Sequence, residues 1–344
     1  MLCQFREEAV TAGLRTQHSS SNHCFPRVQG LGHRPAHQGN GDHATQHWPY
    51  DPPAEELGIL RTDHPHYYKG RLPGESEADF VARIVANLEA LILREGPDTI
   101  AAFLAEPITG TSGVIVPPDG YYTRVQELLR RYDIAFWADE VICGFGRTGQ
   151  DFGCTTMGIE APAMMTLAKQ LSSAYVPISA SVISGDMYQA IADQSADVGV
   201  FGHGYTYSGH PLGCAVALKT LEIYERDRIF EHAATVGDYF QRKLRTLAEH
   251  PLVGEVRGRG LLAAIELVND KEQGSAFPPS VATYLQSACA DAGLIGRAVA
   301  GTAFALCPPL IITVAQVDEL VTKLAAGLNA TLVKVEREGL KAVA

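Results

Sequence analysis

The stretches FWADEV and MMTLAKQLSS place Asp139 and Lys169 thirty positions apart, each closing a short run of apolar residues. Taken alone, each residue has an ordinary reading. A lysine at the end of such a run can be an edge charge whose stem covers apolar surface while its head stays wet. An isolated aspartate there commonly caps the following turn. Together they suggest more, because an acid at the carboxyl end of a buried parallel strand points into the crevice where α/β proteins bind ligands. An amine can condense with an aldehyde, and an acid can keep a pyridine nitrogen protonated, which is what an aldehyde-bearing pyridine cofactor requires. Burial would favour the neutral, nucleophilic form of the Lys169 amine. If the Asp139 strand runs on for two residues, alternation puts Val141 on the same face, as an apolar platform beside the carboxylate.

Other motifs compete with that pair. CGFGRTG, Cys143 to Gly149, contains G-x-G-x-x-G after a strand, the pattern of a dinucleotide site. Such a site needs a helix straight after the glycines and an acid about twenty residues on. QDFGC follows instead, and neither feature is present, so a loop is the better reading. FGHGYTYSGHP, Phe201 to Pro211, sets hydroxyls among glycines, which suits a phosphate with Thr206 as donor and equally suits a plain turn. The pairs His33/His37 and His43/His47 have the four-residue spacing of a helical metal site, but Pro35, Gly39 and Gly41 argue against a helix there.

These groups need a scaffold. The 344 residues suffice for roughly two domains with a sizeable core. Leu72 onward shows order. Ser76 and Asp79 start a helix carrying Phe80, Ile84, Leu88, Leu91 and Ile92 at helical spacing. Thr99 to Ala105 reads as a buried strand, 119–131 as a helix and 134–138 as the next strand, an α/β pattern with a mainly parallel sheet. A helix at 211–226 leads to a smaller α+β region. It has two strands around a glycine turn at 251–267 and helices near 280–292 and 315–337. The uncharged run Ala298 to Val317 is interrupted by Gly301 and Pro308-Pro309, so it is expected to be a strand, a turn and a helix start rather than a membrane span. The formal charge of −11, without a basic block, argues against a nucleic-acid partner. Seven scattered cysteines imply a reducing compartment, hence the cytoplasm. Eight of the twelve histidines precede residue 67, in a stretch whose 16–53 part is polar, rich in Gly and Pro, and without helical or strand period, so it is expected not to pack.

The segments AAFLAEPITGTSGVIVPPDGYY, ADEVICGFGRTG, MMTLAKQLSS, FGHGYTYSGHP, HPLVGEVRGRGLLAAIEL and CPPLIIT follow one another as in the class III pyridoxal-phosphate-dependent aminotransferases of fold type I. The chain resembles that family over about residues 61–335, and among its branches it looks most like the ω-amino-acid and amine:pyruvate transaminases. The resemblance implies pyridoxal 5'-phosphate as cofactor, held by Lys169 as a Schiff base. Lys169 would then move the proton between substrate carbon and cofactor C4′. It implies Asp139 against the pyridinium nitrogen, Val141 against one ring face, Thr206 at the cofactor phosphate of a neighbouring subunit in a homodimer, and Arg297 on the substrate carboxylate. The reaction implied carries an amino group from an amine or ω-amino acid to a keto acid, with pyruvate the expected acceptor, by ping-pong kinetics. Three divisions follow: 1–60 as a low-complexity segment, disordered or foreign to the family, 61–228 as an incomplete cofactor-binding domain, and 229–344 as a small C-terminal domain.

The likeness is partial. Family members carry, ahead of the Ser76 helix, a long segment with a Gly-Ser phosphate clamp and an aromatic-His pair. This chain has neither, and Gly74 to Ala78 reads as a helix cap rather than as the clamp. Residues before about 60 resemble no part of the family, as expected of a segment translated from a shifted frame or a broken gene. Two alternatives therefore stand beside the transaminase reading: a catalytically impaired remnant, and another pyridoxal enzyme of the same fold, a decarboxylase or aminomutase.

Overall fold

The computed structural model describes residues 2–3, 27–31, 59–202, 204–271 and 274–340. The strands β1 (Leu2–Cys3), β2 (Arg27–Leu31) and β3 (Ile59–Leu60) precede a short helix α1 (Tyr67–Gly70) and α2 (Glu77–Glu95). Arg27–Leu31 lies in the stretch expected to lack strand character, yet it pairs in parallel with β4 (Ile100–Ala105). A ladder bonds backbone groups, which every sequence carries, so a missing side-chain period does not forbid it. The two histidine pairs fall outside the described residues, and no metal-ligating cluster occurs among those that are described.

α2 begins where expected. The Ser76 hydroxyl accepts the Asp79 amide at 3.2 Å, and Phe80, Ile84, Leu88, Leu91 and Ile92 are buried. Next come α3 (Tyr121–Arg131), β5 (Ala135–Asp139), the short α4 (Gly153–Met157), β6 (Met164–Leu167), β7 (Ser179–Ile183) and α5 (Gly185–Val198). The large sheet runs β1-β7-β6-β5-β4-β2-β3, with the steps from β6 through to β3 parallel and β7 antiparallel to both its neighbours. Phe103 and Ala105 face the apolar cluster of α2 and α3, while Leu104, Trp137 and Met164 meet Met187 of α5 on the other side. Both faces are covered, which accounts for strands that read as unbroken apolar runs.

The helices α6 (Pro211–Arg226) and α7 (Ile229–Arg245) lead to the second sheet, β8 (Val253–Arg259), β9 (Leu262–Asp270) and β10 (Ser275–Ala276). It is completed, beyond α8 (Pro279–Asp291), by β11 (Arg297–Val299) and β12 (Ala303–Leu306), and α9 (Val314–Glu338) packs on α8 and α7. This sheet is antiparallel throughout, ordered β10-β9-β12-β11 with β8 on β9. Between Ala298 and Val317 the structure has a two-strand hairpin where a single strand was expected. Ala300 and Gly301, at φ of 50° and 75°, form its turn. No described helix is long and apolar enough to cross a membrane.

One apolar cluster runs from Leu167 and Leu171 beside the large sheet through Phe240 and Leu261 to Phe304 and Leu324. The two lobes also meet at backbone. A Cβ on Gly260, at φ 54°, would overlap the Thr148 carbonyl carbon, so only glycine fits the turn there. Across the same seam Leu261 donates its amide to the Arg147 carbonyl at 3.0 Å, and the Arg147 Nη1 donates to the carbonyls of Leu261 and Pro308.

Candidate active site

Because β4, β5 and β6 are parallel, the residues that leave their carboxyl ends share one edge of the sheet. Glu106 follows β4, Asp139 closes β5 and Lys169 lies two residues beyond β6. Asp139 pairs with Thr166, which brings the acid and the lysine turn to adjacent positions along that edge.

Asp139 is 2% exposed and Val141 1%. The strand stops at Asp139, so the alternation expected to align Val141 does not apply. Instead the chain turns, and Asp139 Oδ1 accepts the Val141 amide at 3.0 Å. The capping role and the site role are thus compatible, since one carboxylate oxygen fixes the turn that seats Val141. Glu140, fully buried, accepts the Gly153 and Cys154 amides at 2.9 and 2.6 Å and closes the intervening loop. Burial pushes the Glu140 carboxyl up, and the two amide bonds offset part of that rise. The glycine-rich run from Cys143 is a string of turns, and five residues of helix begin only at Gly153. That geometry is a loop, as read from the sequence, and not a dinucleotide fingerprint.

Lys169 opens a 3-10 turn, Lys169–Leu171, with φ 44°. It is exposed, where an amine kept partly out of water was expected. The reason is local, because the strand has already ended and the left-handed backbone carries the chain out of the sheet. Its charge is nevertheless felt in the second lobe. Burial pushes the Cys307 thiol up, and the positive charges of Arg147 and Lys169 draw it partly back.

The other expected residues come from other elements. Thr206 is exposed in a turn that precedes α6, whose first amides are met by His210 Nδ1 accepting from Leu212. Arg297 is exposed at the start of the edge strand β11.

Sequence reasoning missed a buried ionic cluster between the lobes. Glu266, 1% exposed, takes Lys69 Nζ at 2.6 Å and Arg257 Nη2 at 2.8 Å, and also accepts from the Thr302 hydroxyl. Arg257 reaches Glu255 Oε2 at 2.7 Å and the Gly113 carbonyl, and His66 Nε2 lies 3.1 Å from Glu255. Burial would raise the Glu266 carboxyl, but Arg257 and Lys69 outweigh it and hold the group at about 2. His66 is held below its usual range by burial. Lys69 also donates to the Thr302 hydroxyl, 233 positions away, so no local spacing announces the cluster.

The groups at the sheet edge suit a pyridoxal cofactor at its ring end. A buried carboxylate suits a protonated ring nitrogen, a buried valine suits a ring face and a primary amine suits an aldehyde. The comparisons agree. Residues 59–328 match the family profile described as Aminotransferase class-III. The chain is 44% identical over 292 residues to gamma aminobutyrate transaminase 3, chloroplastic, of Solanum lycopersicum, which covers 84% of this chain and 55% of that protein. It is 43% identical over 280 residues to vanillin aminotransferase of Capsicum chinense, with 81% and 61% covered. A solved omega transaminase from Pseudomonas jessenii in complex with PMP superposes with TM-score 0.89 at 39% identity, covering 97% of this chain and 76% of that one. Another, described as a transaminase with L-ala, gives 0.90 at 40%, covering 97% and 80%. The chain spans just over half the length of these two curated relatives. Its architecture is that of the fold type I enzymes, whose class III members use pyridoxal phosphate, and the chain belongs to the class III aminotransferase family.

Proposed function

We propose that this chain is a transaminase that moves an amino group from an amine or ω-amino acid to a keto acid, with pyruvate as acceptor and Lys169 as the amine that bonds pyridoxal 5'-phosphate. The observation that carries the reading is the placement of Asp139 and Lys169 at the carboxyl ends of neighbouring parallel strands, with Val141 seated between them in sequence by the Asp139 carboxylate. Gamma aminobutyrate transaminases among the relatives, and omega transaminases among the structural neighbours, support the donor class.

When bound, the cofactor supplies an electron sink that acidifies the carbon bearing the donor's amino group. The chain's own residues set that sink and use it. Asp139, a buried carboxylate, would hold the proton on the ring nitrogen, and Val141 would press on a ring face. Lys169 Nζ would bond the aldehyde carbon, yield it to the donor amine, and then carry the proton from the donor's amine-bearing carbon. Arg297 would pair its two guanidinium nitrogens with a substrate carboxylate. Thr206 would donate to the cofactor phosphate of a neighbouring subunit. Val198, Val200, Leu212 and Leu218 are exposed on the flanks of that loop, which supports a homodimer built over this face. In this reading 61–228 is the cofactor-binding domain and 229–344 the small one. Cys143, Cys154, Cys214, Cys289 and Cys307 carry free thiols, in keeping with the reducing cytoplasm.

A second reading, a catalytically impaired relative, is favoured by the exposure of Lys169. One experiment separates them. The purified chain is given pyridoxal phosphate, reduced with borohydride and digested, and the modified lysine is mapped by mass. Parallel samples receive an amine donor with pyruvate. A pyridoxyl adduct at Lys169 with alanine formed is the expected result. An adduct without alanine supports the impaired relative, carbon dioxide or an isomer formed without a keto acid points to a decarboxylase or aminomutase, and no adduct overturns the reading.

A further inference from the structure

We propose that Tyr224 is a positioning residue that holds Lys169 in its left-handed turn by donating its hydroxyl to the carbonyl of Gln170, an inference that rests on reading Lys169 as the cofactor amine.

The turn is strained. Lys169, Ser173 and Ala174 have φ of 44°, 49° and 64°, a region that side chains with a Cβ rarely occupy. Left-handed residues without glycine persist only where their surroundings over-determine them, and they gather at functional sites. Most bonds in the turn are local. Leu171 donates its amide to the Ala168 carbonyl at 3.0 Å, Ser172 to Lys169 at 3.2 Å and Ser173 to Gln170 at 3.2 Å, while the Ser172 hydroxyl reaches Val176 at 2.7 Å. Such bonds accompany any tight turn and do not select this one.

Other bonds come from outside the turn. The Gln170 side chain donates its Nε2 to the Ile142 carbonyl at a weak 3.4 Å. The Tyr224 hydroxyl meets the Gln170 carbonyl at 2.8 Å from 54 positions away. That carbonyl therefore accepts both the Ser173 amide and the phenol, and the Gln170–Leu171 peptide, one residue beyond Lys169, is fixed through both of its lone pairs. The donor is itself immobilised. Tyr224 is 9% exposed on α6, its ring packs 5.5 Å from that of Phe230, and it shares an apolar cluster with Leu167 and Leu171 on either side of the lysine. The Ser173 side chain also meets the Tyr224 phenol. A rigid ring that delivers one hydroxyl to one carbonyl beside a strained lysine acts on the lysine's direction rather than on its chemistry.

The test removes only that hydroxyl. Tyr224→Phe in the full chain keeps the ring against Phe230. Amide exchange at Leu171 to Ser173 should accelerate about tenfold, the size expected for one lost hydrogen bond. Borohydride trapping of pyridoxal phosphate at Lys169 should slow by a similar factor. Tyr239→Phe, which loses an equivalent hydroxyl bond of 2.7 Å to Asp318, should change neither. Ala174→Gly added to Tyr224→Phe should recover the trapping rate, because glycine takes positive φ without strain. A merely structural role would lower the thermal midpoint in both phenylalanine variants and would not be rescued by glycine. Unchanged exchange and unchanged trapping in Tyr224→Phe overturn the proposal. If the unaltered chain forms no adduct at Lys169, the transaminase reading fails, and the exchange arm still decides the role of Tyr224.

Discussion

The floor and the rim of the candidate site are built differently. On the floor, Asp139 and Val141 are buried, and each is held by the other through one hydrogen bond. On the proposed rim, Lys169, Thr206 and Arg297 are exposed, and they come from a turn, a loop and an edge strand. The floor is fixed by the register of β5 and β6, that is, by contacts within one sheet. The rim would be completed only by what lies over it: cofactor, substrate or a second subunit. Substitutions on the floor should therefore cost both stability and chemistry, whereas rim substitutions should cost chemistry alone.

The largest separation should come at Lys169. Lys169→Ala removes the only amine proposed to bond the cofactor, so the pyridoxyl adduct at this position and any amine transfer should vanish. The thermal midpoint should stay close to that of the parent chain, because an exposed side chain contributes little to the core. A drop of many degrees would mean that the lysine supports the fold and that the distinction between rim and floor is false.

The seam between the lobes gives the extreme of the opposite behaviour. Glu266→Ala would leave Arg257 and Lys69 facing each other without their shared carboxylate, at a cost of about 3–5 kcal/mol. The same cluster predicts an acid limit. Glu266 is held at about 2 when folded against an ordinary 4.5, so its contribution is complete above pH 4.5 and fades as the pH falls toward 2, by about 3 kcal/mol in all. His66, whose folded value is lowered by burial, works in the same direction below its usual 6.5, because the unfolded chain takes up the proton more readily. Urea midpoints measured between pH 7 and pH 3 check both statements. Stability that rises on acidification would contradict them.

Asp139→Ala should fall between these two. It removes the acceptor of the buried Val141 amide, costing about 1–3 kcal/mol, and it removes the acid proposed for the ring nitrogen. Asp139→Asn keeps an acceptor oxygen and should recover most of the stability but not the amine transfer. Denaturation and trapping assays on the pair separate the two roles of one carboxylate.

How much of this was legible in the sequence follows the same division. The helix from Ser76 announced itself through a cap and five apolar residues at helical spacing, and the structure buries all five. Asp139 and Lys169 were visible because each ends an apolar run, a signal confined to a few neighbouring residues. The seating of Val141 stayed open, since the sequence does not say whether a strand ends at residue 139 or 141, and a side chain accepting from the backbone decided it. Arg147 at Leu261 and Pro308, and His66 at Glu255, were not legible at all. Their partners are brought together only once two separate sheets are packed. Exposure of Lys169 was likewise beyond reach, because the sequence does not show that the backbone turns left-handed at that residue.

The smallest effect is expected at Thr206 and bears most directly on the comparison. Thr206→Val keeps size and branching and removes only the hydroxyl of an exposed residue, so stability should stay within about 0.5 kcal/mol. If the hydroxyl serves a neighbouring subunit's cofactor, the loss appears only where subunits are paired. Cofactor should then leave the variant faster than the parent chain at high protein concentration, and the difference should shrink on dilution. Equal release at every concentration would remove Thr206 from the site. A stability loss well beyond that margin would place it among residues fixed by the fold, and the rim would then be built like the floor.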